Sequence, residues 1–224
     1  ILDYELYLYN CDAGDVLGIQ EDMISAPRLD NITSVEACLQ GILNQKREKG
    51  INVIALFDNE EIGSRTKQGA DSEFLYRLLK KIYRCLAVDE EKAETAIFGG
   101  FALSLDVAHG FHPNKPDKSD PTNPNPLGKG VVIKRSSAQN YVTDSEAVAT
   151  AMMIFENEGI PYQKFASRSD VSQGGTLGSI ASKYLPMKMV DMGVPILAMH
   201  SARELMAAAD QYYLEEFVTA FFEQ

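Results

Sequence analysis

Several things are scarce in this chain, and each scarcity removes a class of protein. Only three cysteines occur among 224 residues, Cys11, Cys38 and Cys85. They lack the close pairing of a zinc knuckle or a redox dithiol, so reduced, partly buried thiols and a cytoplasmic protein are expected. Basic residues are also short: 21 Lys and Arg stand against 32 Asp and Glu, a formal charge of −11. That disfavours a broad footprint on nucleic acid or anionic lipid and leaves room only for a local basic pocket. No apolar run is long enough to span a bilayer, and the opening ILDYELYLYN lacks the basic start of a signal peptide. Neither a nucleic-acid partner nor a membrane is expected.

What is present suffices for one compact domain over 1–224, since 45% of the residues are hydrophobic. ILDYELYLYN alternates in places and reads as an edge strand, followed by a Gly and Asp rich turn at 12–18. The chain opens at Ile1 inside that predicted strand, so a fragment or a processed chain is expected. Ile32, Val35, Leu39 and Leu43 recur at helical spacing and predict a helix to about Lys49, capped by Asp30 or Asn31. INVIALF at 51–57 predicts a central strand covered on both faces. Leu75, Leu78, Leu79, Ile82 and Leu86 mark a second helix, and AIFGGFALSL at 96–105 predicts a buried strand ending at Asp106.

Residues 112–128 are rich in Pro, Asn, Asp and Lys and predict an irregular surface loop. Beyond it, VVIKR reads as a strand, and the spacing from Thr143 to Glu146 is that of a capping box opening a helix. A short strand is expected at Tyr162 to Ala166, and a tight turn at GGTLG opens a short helix. MKMVDMG and PILAMH read as strands leading to His200, and Leu214, Phe217, Val218 and Phe221 mark a last helix. This alternation predicts an α/β three-layer sandwich, with helices on both faces of a central mostly parallel or mixed sheet.

Asp30, Glu61 and Asp106 stand at or just past predicted element ends, and His200 follows the last apolar strand. Ligands of open α/β sheets bind outside the carboxyl ends of the strands, so residues this far apart in sequence can meet. Oxygen and imidazole donors without cysteine suit zinc, manganese or cobalt, and one carboxylate can bridge two ions. Taken singly, an aspartate after a strand is more often a helix cap than a ligand. The adjacent Glu60 and Glu61 would point different ways from extended backbone, one toward a metal and the other toward its water; a solvated acidic turn is the alternative.

Four ordered segments, PRLDN (27–31), FDNEEIGS (57–64), DVAHGFHPN (106–114) and AMHSARE (198–204), resemble signature segments of the aspartyl aminopeptidases. VIKRSSAQNYVTD (132–144) and RSDVSQGGTLGSI (168–180) extend the resemblance across nearly the whole chain. It implies a zinc-exopeptidase-like fold and a dinuclear zinc site, with manganese or cobalt as substitutes. Asp30 would bridge the two ions, Glu61 and His200 would complete one ion's ligands, Asp106 would bind the other, and Glu60 would be the general base. Lys134 would sit in the pocket for an acidic substrate side chain, and His109 would line the substrate pocket; His112 receives no metal role. The implied reaction removes N-terminal amino acids, acidic ones above all, from peptides, and the implied complete protein is a homo-oligomer. The family carries a further histidine ligand and an orienting acid in an N-terminal segment before a dimerisation and lid insertion, and 1–224 contains neither. A catalytically incomplete fragment and a non-enzymatic peptide-binding scaffold are therefore the rival readings.

Overall fold

The computed structural model describes residues 1–45, 47–168, 170–171 and 174–224. Lys46, within the predicted first helix, and Ser169, Ser172 and Gln173, within RSDVSQGGTLGSI, lie outside the described residues.

The strands are β1 (Asp15–Leu17), β2 (Met23–Ala26), β3 (Phe101–Leu105), β4 (Ala108–His109), β5 (Val131–Arg135), β6 (Tyr162–Ala166), β7 (Lys188–Gly193), β8 (Pro195–Leu197) and β9 (Glu204–Ala207). The helices are α1 (Leu29–Asn44), α2 (Phe74–Cys85), α3 (Glu90–Phe98), α4 (Ser145–Glu158), α5 (Leu177–Ala181) and α6 (Ala208–Glu223), with 3-10 turns at Glu60–Ile62 and Pro116–Lys118. No helix among the described residues is long and apolar enough to cross a membrane.

Two mixed sheets form, in the orders β1-β2-β9-β8-β4 and β3-β7-β5-β6. They run into one another, because β3 pairs in parallel with β7 and β4 with β8. Across the join, Asp106 N–H donates to Met192 O at 3.0 Å and Ala108 N–H to Val194 O at 2.8 Å. Side chains alternate across strands, so the two faces separate in sequence. Val131, Ile133, Val190 and Met192 enter one large core with Ala37 of α1, Phe155 of α4 and Leu214 and Phe217 of α6. Val132 and Phe165 instead join Tyr141 and Ala108 in a smaller cluster. Asp191, also on that second face, binds Thr176 at the start of α5. Helices thus cover both faces of a mixed sheet, the expected α/β sandwich.

Local expectations fare unevenly. ILDYELYLYN forms no ladder among the described residues: their first strand begins at Asp15, and Ile1, Leu2 and Leu8 are fully exposed. INVIALF is not a central strand either; Ile54 packs on the core while Val53 and Leu56 remain exposed, and no strand pairs with it among the described residues. A strand is defined by its partner's N–H and C=O groups, and composition alone does not supply one. AIFGGFALSL divides: Ala96 to Phe98 end α3, whose Asp89 cap accepts N–H bonds from Glu91 and Lys92, and β3 starts after Gly99 and Gly100. The first helix stops at Asn44 rather than Lys49. Neither Asp30 nor Asn31 holds its cap position, which Arg28 occupies with no side-chain cap bond; the Asn31 amide instead donates to Leu105 O at 2.9 Å. α4 is capped by Asp144, whose carboxylate accepts from Ala147 N–H at 2.8 Å, while Thr143 Oγ1 accepts from Asp191 N–H instead. All three cysteines are free, but only Cys38 is partly buried; Cys11 and Cys85 are exposed.

Candidate metal centre

Three neighbouring strands set two of the predicted ligands. β9 lies between β2 and β8, with Ala26 opposite Glu204 and Leu197 opposite Leu205. β2 runs out through Pro27 to Asp30, and β8 runs out through Ala198 to His200, so both residues leave the same end of the sheet. Ala198 (φ 57°) and His200 (φ 65°) take left-handed backbone in a tight loop closed by Ser201 N–H on Ala198 O at 3.0 Å. The Asp30–Asn31 peptide is cis.

Glu60 and Glu61 occupy one turn of 3-10 helix rather than extended backbone. Successive residues of such a helix differ by roughly 120°, so the two carboxylates still diverge. The turn is held by its own loop: Ser64 N–H donates to Asn59 O (2.8 Å), Asp71 N–H to Ser64 O (3.1 Å), and Asp58 N–H to Gln68 O (3.1 Å). Asp71 in turn binds Lys183 at 2.6 Å and the Tyr184 hydroxyl at 3.1 Å, which fastens this loop to the chain just past α5.

The structure brings Asp30, Glu61 and His200 together. One ligand atom from each lies within 4.8 Å of the others. His200 Nε2 is 3.1 Å from Asp30 Oδ2 and 3.3 Å from Glu61 Oε2. Asp106, directly after β3, stands beside this group rather than in it. Its carbonyl accepts from Lys134 Nζ at 3.0 Å and its Oδ2 is 3.4 Å from the same ammonium, which also donates to Val107 O at 3.1 Å. Lys134 lies 5.2 Å from the centre of the Tyr141 ring.

Acidic charge is concentrated here. Burial first, and then the carboxylates of Asp106 and Glu61, push Asp30 up to about 7, against the opposing pull of His200. Glu60 is raised from the ordinary carboxylate range by burial and then by Asp106 and Glu61. His109, on β4 opposite Ile196, is held below the usual imidazole range by desolvation and then by the charges of Lys134 and His200. It therefore belongs to the same neighbourhood, whereas His112 Nδ1 accepts from Asn114 N–H in the following loop.

Two carboxylates and an imidazole around one point form a donor set that suits zinc, and a cation would relieve the crowding of like charges around Asp30. The residues present fit such an ion on donor chemistry. Three buried acids, Asp191, Glu204 and Asp210, were not singled out by sequence reasoning. Asp191 accepts from Val142 N–H and Thr176 Oγ1, both at 2.6 Å, tying the loop before α4 to the start of α5. Glu204, on β9, accepts from the backbone N–H groups of Asp30 and His200. The available signal for Glu204 was its place at the end of AMHSARE, as an acid opening an apolar strand.

Comparison with known proteins adds to this geometry. A curated relative from Clostridium acetobutylicum, a probable M18 family aminopeptidase 2, is 43% identical over 222 residues, which cover 99% of this chain and 51% of that protein. The chain thus spans about half the length of the curated relatives it matches. Among solved structures, a chain of the Ape4 and Nbr1 complex superposes with TM-score 0.89 at 32% identity, covering 94% of this chain and 41% of that one. The M18 aminopeptidase of Thermotoga maritima gives 0.86 at 25%, over 95% and 48% of the two chains. The S. cerevisiae mApe1 dodecamer gives 0.81 at 23%, over 96% and 49%, and shares the fold alone. The family model for the aminopeptidase I zinc metalloproteases matches residues 1–222, and the chain belongs to this family, M18.

Proposed function

We propose that this chain carries most of the active site of a dinuclear-metal aminopeptidase, which removes N-terminal residues from peptides and prefers acidic ones. The observation that carries the reading is the convergence of Asp30, Glu61 and His200, with their ligand atoms within 4.8 Å of one another, beside Glu60 and Asp106. Asp30, Glu61 and His200 would hold one zinc, with Asp30 and Asp106 turned toward a second; manganese or cobalt would serve as substitutes. Bound there, the ions would supply Lewis acidity to the attacking water and the scissile carbonyl. Glu60 takes the water's proton and returns it to the departing amine, a task suited to a carboxyl raised from its ordinary range by burial. His109 lines the approach to the site. Lys134 offers the positive charge for an acidic substrate side chain, and its longest contact, to Asp106 Oδ2 at 3.4 Å, is the one a substrate carboxylate would replace.

The same proposal includes a catalytic domain over 1–224, to which a further histidine ligand, an orienting acid and a dimerisation and lid insertion belong elsewhere in the complete protein. It also includes a cytoplasmic location, for which the three free cysteines speak. Self-association is part of it as well, as the resemblance to the aspartyl aminopeptidases implies.

Anomalous scattering at the zinc edge tests the metal reading: two peaks within coordination distance of Asp30, Glu61, Asp106 and His200 are expected, and none would overturn it. Glu60→Gln is expected to keep the metal and lower kcat by about 10²- to 10⁴-fold, because an amide cannot take the water's proton. Near-normal turnover in that variant removes Glu60 as the base. A protein that binds metal yet cleaves neither acidic nor neutral aminopeptidase substrates would favour the peptide-binding scaffold instead.

A further inference from the structure

Glu204 is 2% exposed, so its carboxylate needs strong partners to remain in place. Both of its oxygens have one. Oε2 accepts from Asp30 N–H at 2.9 Å, and Oε1 accepts from His200 N–H at 2.8 Å. Asp30 precedes Glu204 by 174 residues and His200 precedes it by four, yet one carboxylate binds the main chain of both. The sheet explains the geometry. β9 is the strand between β2 and β8, and Glu204 opens it opposite Ala26, beside the ends of both flanking strands as they turn toward the site. The two residues joined through their backbone are the two whose side chains meet at 3.1 Å.

We propose that Glu204 is a positioning residue that fixes the spacing of Asp30 and His200 and thereby sets metal affinity. This rests on the metal reading above. Charge-assisted hydrogen bonds are stronger than neutral ones, and a carboxylate has acceptors on both sides, which no other side chain of this length offers. In Glu204→Gln one oxygen remains an acceptor, while the amide nitrogen opposes a backbone N–H and leaves one ligand's main chain without a partner.

Asp210 supplies the control. It is also fully buried and also accepts two backbone N–H bonds, from Gly128 at 2.6 Å and Gly130 at 2.8 Å, and neither glycine belongs to the site. The experiment measures zinc dissociation constants by chelator competition, cobalt absorption spectra and urea unfolding midpoints on the full chain, for wild type, Glu204→Gln, Glu204→Asp and Asp210→Asn. Glu204→Gln is expected to weaken zinc binding by about 10- to 100-fold and alter the cobalt spectrum, the range found when groups supporting metal ligands are removed. Asp210→Asn is expected to lose stability with zinc affinity unchanged. Should Glu204→Gln fail to fold, Glu204→Asp, with its charge kept and its reach shortened, is expected to bind zinc more weakly than wild type. Wild-type zinc affinity in the folded Glu204 variants overturns the positioning role, as does an equal loss of affinity in Asp210→Asn. Absence of zinc binding by the wild type overturns the metal reading itself.

Discussion

Lys134 holds its charge where almost no water reaches it, at 2% exposure, so its three N–H groups must find acceptors within the protein. Asp106 O, Val107 O and Asp106 Oδ2 provide them. This surrounding lets the side chain brace the turn that follows β3, and the proposed function adds a second, separable duty, presenting charge to a substrate. Lys134→Ala is expected to lower kcat/KM for peptides beginning with Asp or Glu at least about tenfold more than for those beginning with Leu, since one charge-assisted bond contributes about 1.5–3 kcal/mol. Paired Glu-linked and Leu-linked substrates measure this, and an equal loss on both would leave Lys134 as a brace alone. The sequence offered Asp30, Glu60, Glu61, Asp106, Lys134 and His200 as candidates through their motifs, because those residues are marked by chemical type. Glu204 escaped because its work is done on the backbone N–H groups of other residues, and no spacing rule reports such a contact.

Elements were legible where their pairing partners are among the described residues. β5 pairs with β6 on one side and β7 on the other, and α4 and α6 pack on that sheet; all five were expected close to where they stand. ILDYELYLYN and INVIALF carry strand-like patterns but have no ladder among the described residues, and composition cannot distinguish the two cases. Where α4 and α6 meet, the rings of Phe155 and Phe217 stack at 4.0 Å, both fully buried. Phe217→Ala is expected to cost about 3–5 kcal/mol in urea unfolding, the range for emptying an aromatic site in a core, and a cost below about 1 kcal/mol would show that this helix pair is not central to stability. Asp210, in the first turn of α6, predicts a pH dependence. Burial raises its carboxyl from the ordinary 3.8 to about 6, partly opposed by the Gly128 and Gly130 N–H bonds. Between those values the folded protein binds more protons than the unfolded chain, so this group's contribution to stability is greatest in acid and declines as pH rises through that window. The stability of wild type relative to Asp210→Asn should therefore fall between pH 4 and pH 7, by about 3 kcal/mol at 1.36 kcal/mol per pKa unit. A difference that stayed constant or grew with pH would contradict this assignment.

For the whole molecule, the candidate centre is a junction of distant segments. Asp30 follows β2, Glu61 lies on the loop before α2, Asp106 follows β3, and His200 lies between β8 and β9. An unfolded chain cannot hold these four in one place, so an ion bound by them binds the folded state alone and stabilises all of it. The structure contains a reason for that gain to be substantial: without a cation, the carboxylates of Asp106 and Glu61 work against the charge of Asp30. At free zinc about 100 times the dissociation constant, mass action adds about 2.7 kcal/mol to the unfolding free energy. A domain of this size gains roughly 2–4 °C in Tm per kcal/mol, so an increase of about 5–10 °C is expected. Scanning calorimetry in zinc and then in excess chelator, at fixed protein concentration and pH, measures it. The rise should disappear with chelator, return with added zinc, and shrink in His200→Ala, which removes the imidazole from the cluster. A Tm that is the same in zinc and in chelator would mean that these segments meet for reasons other than metal.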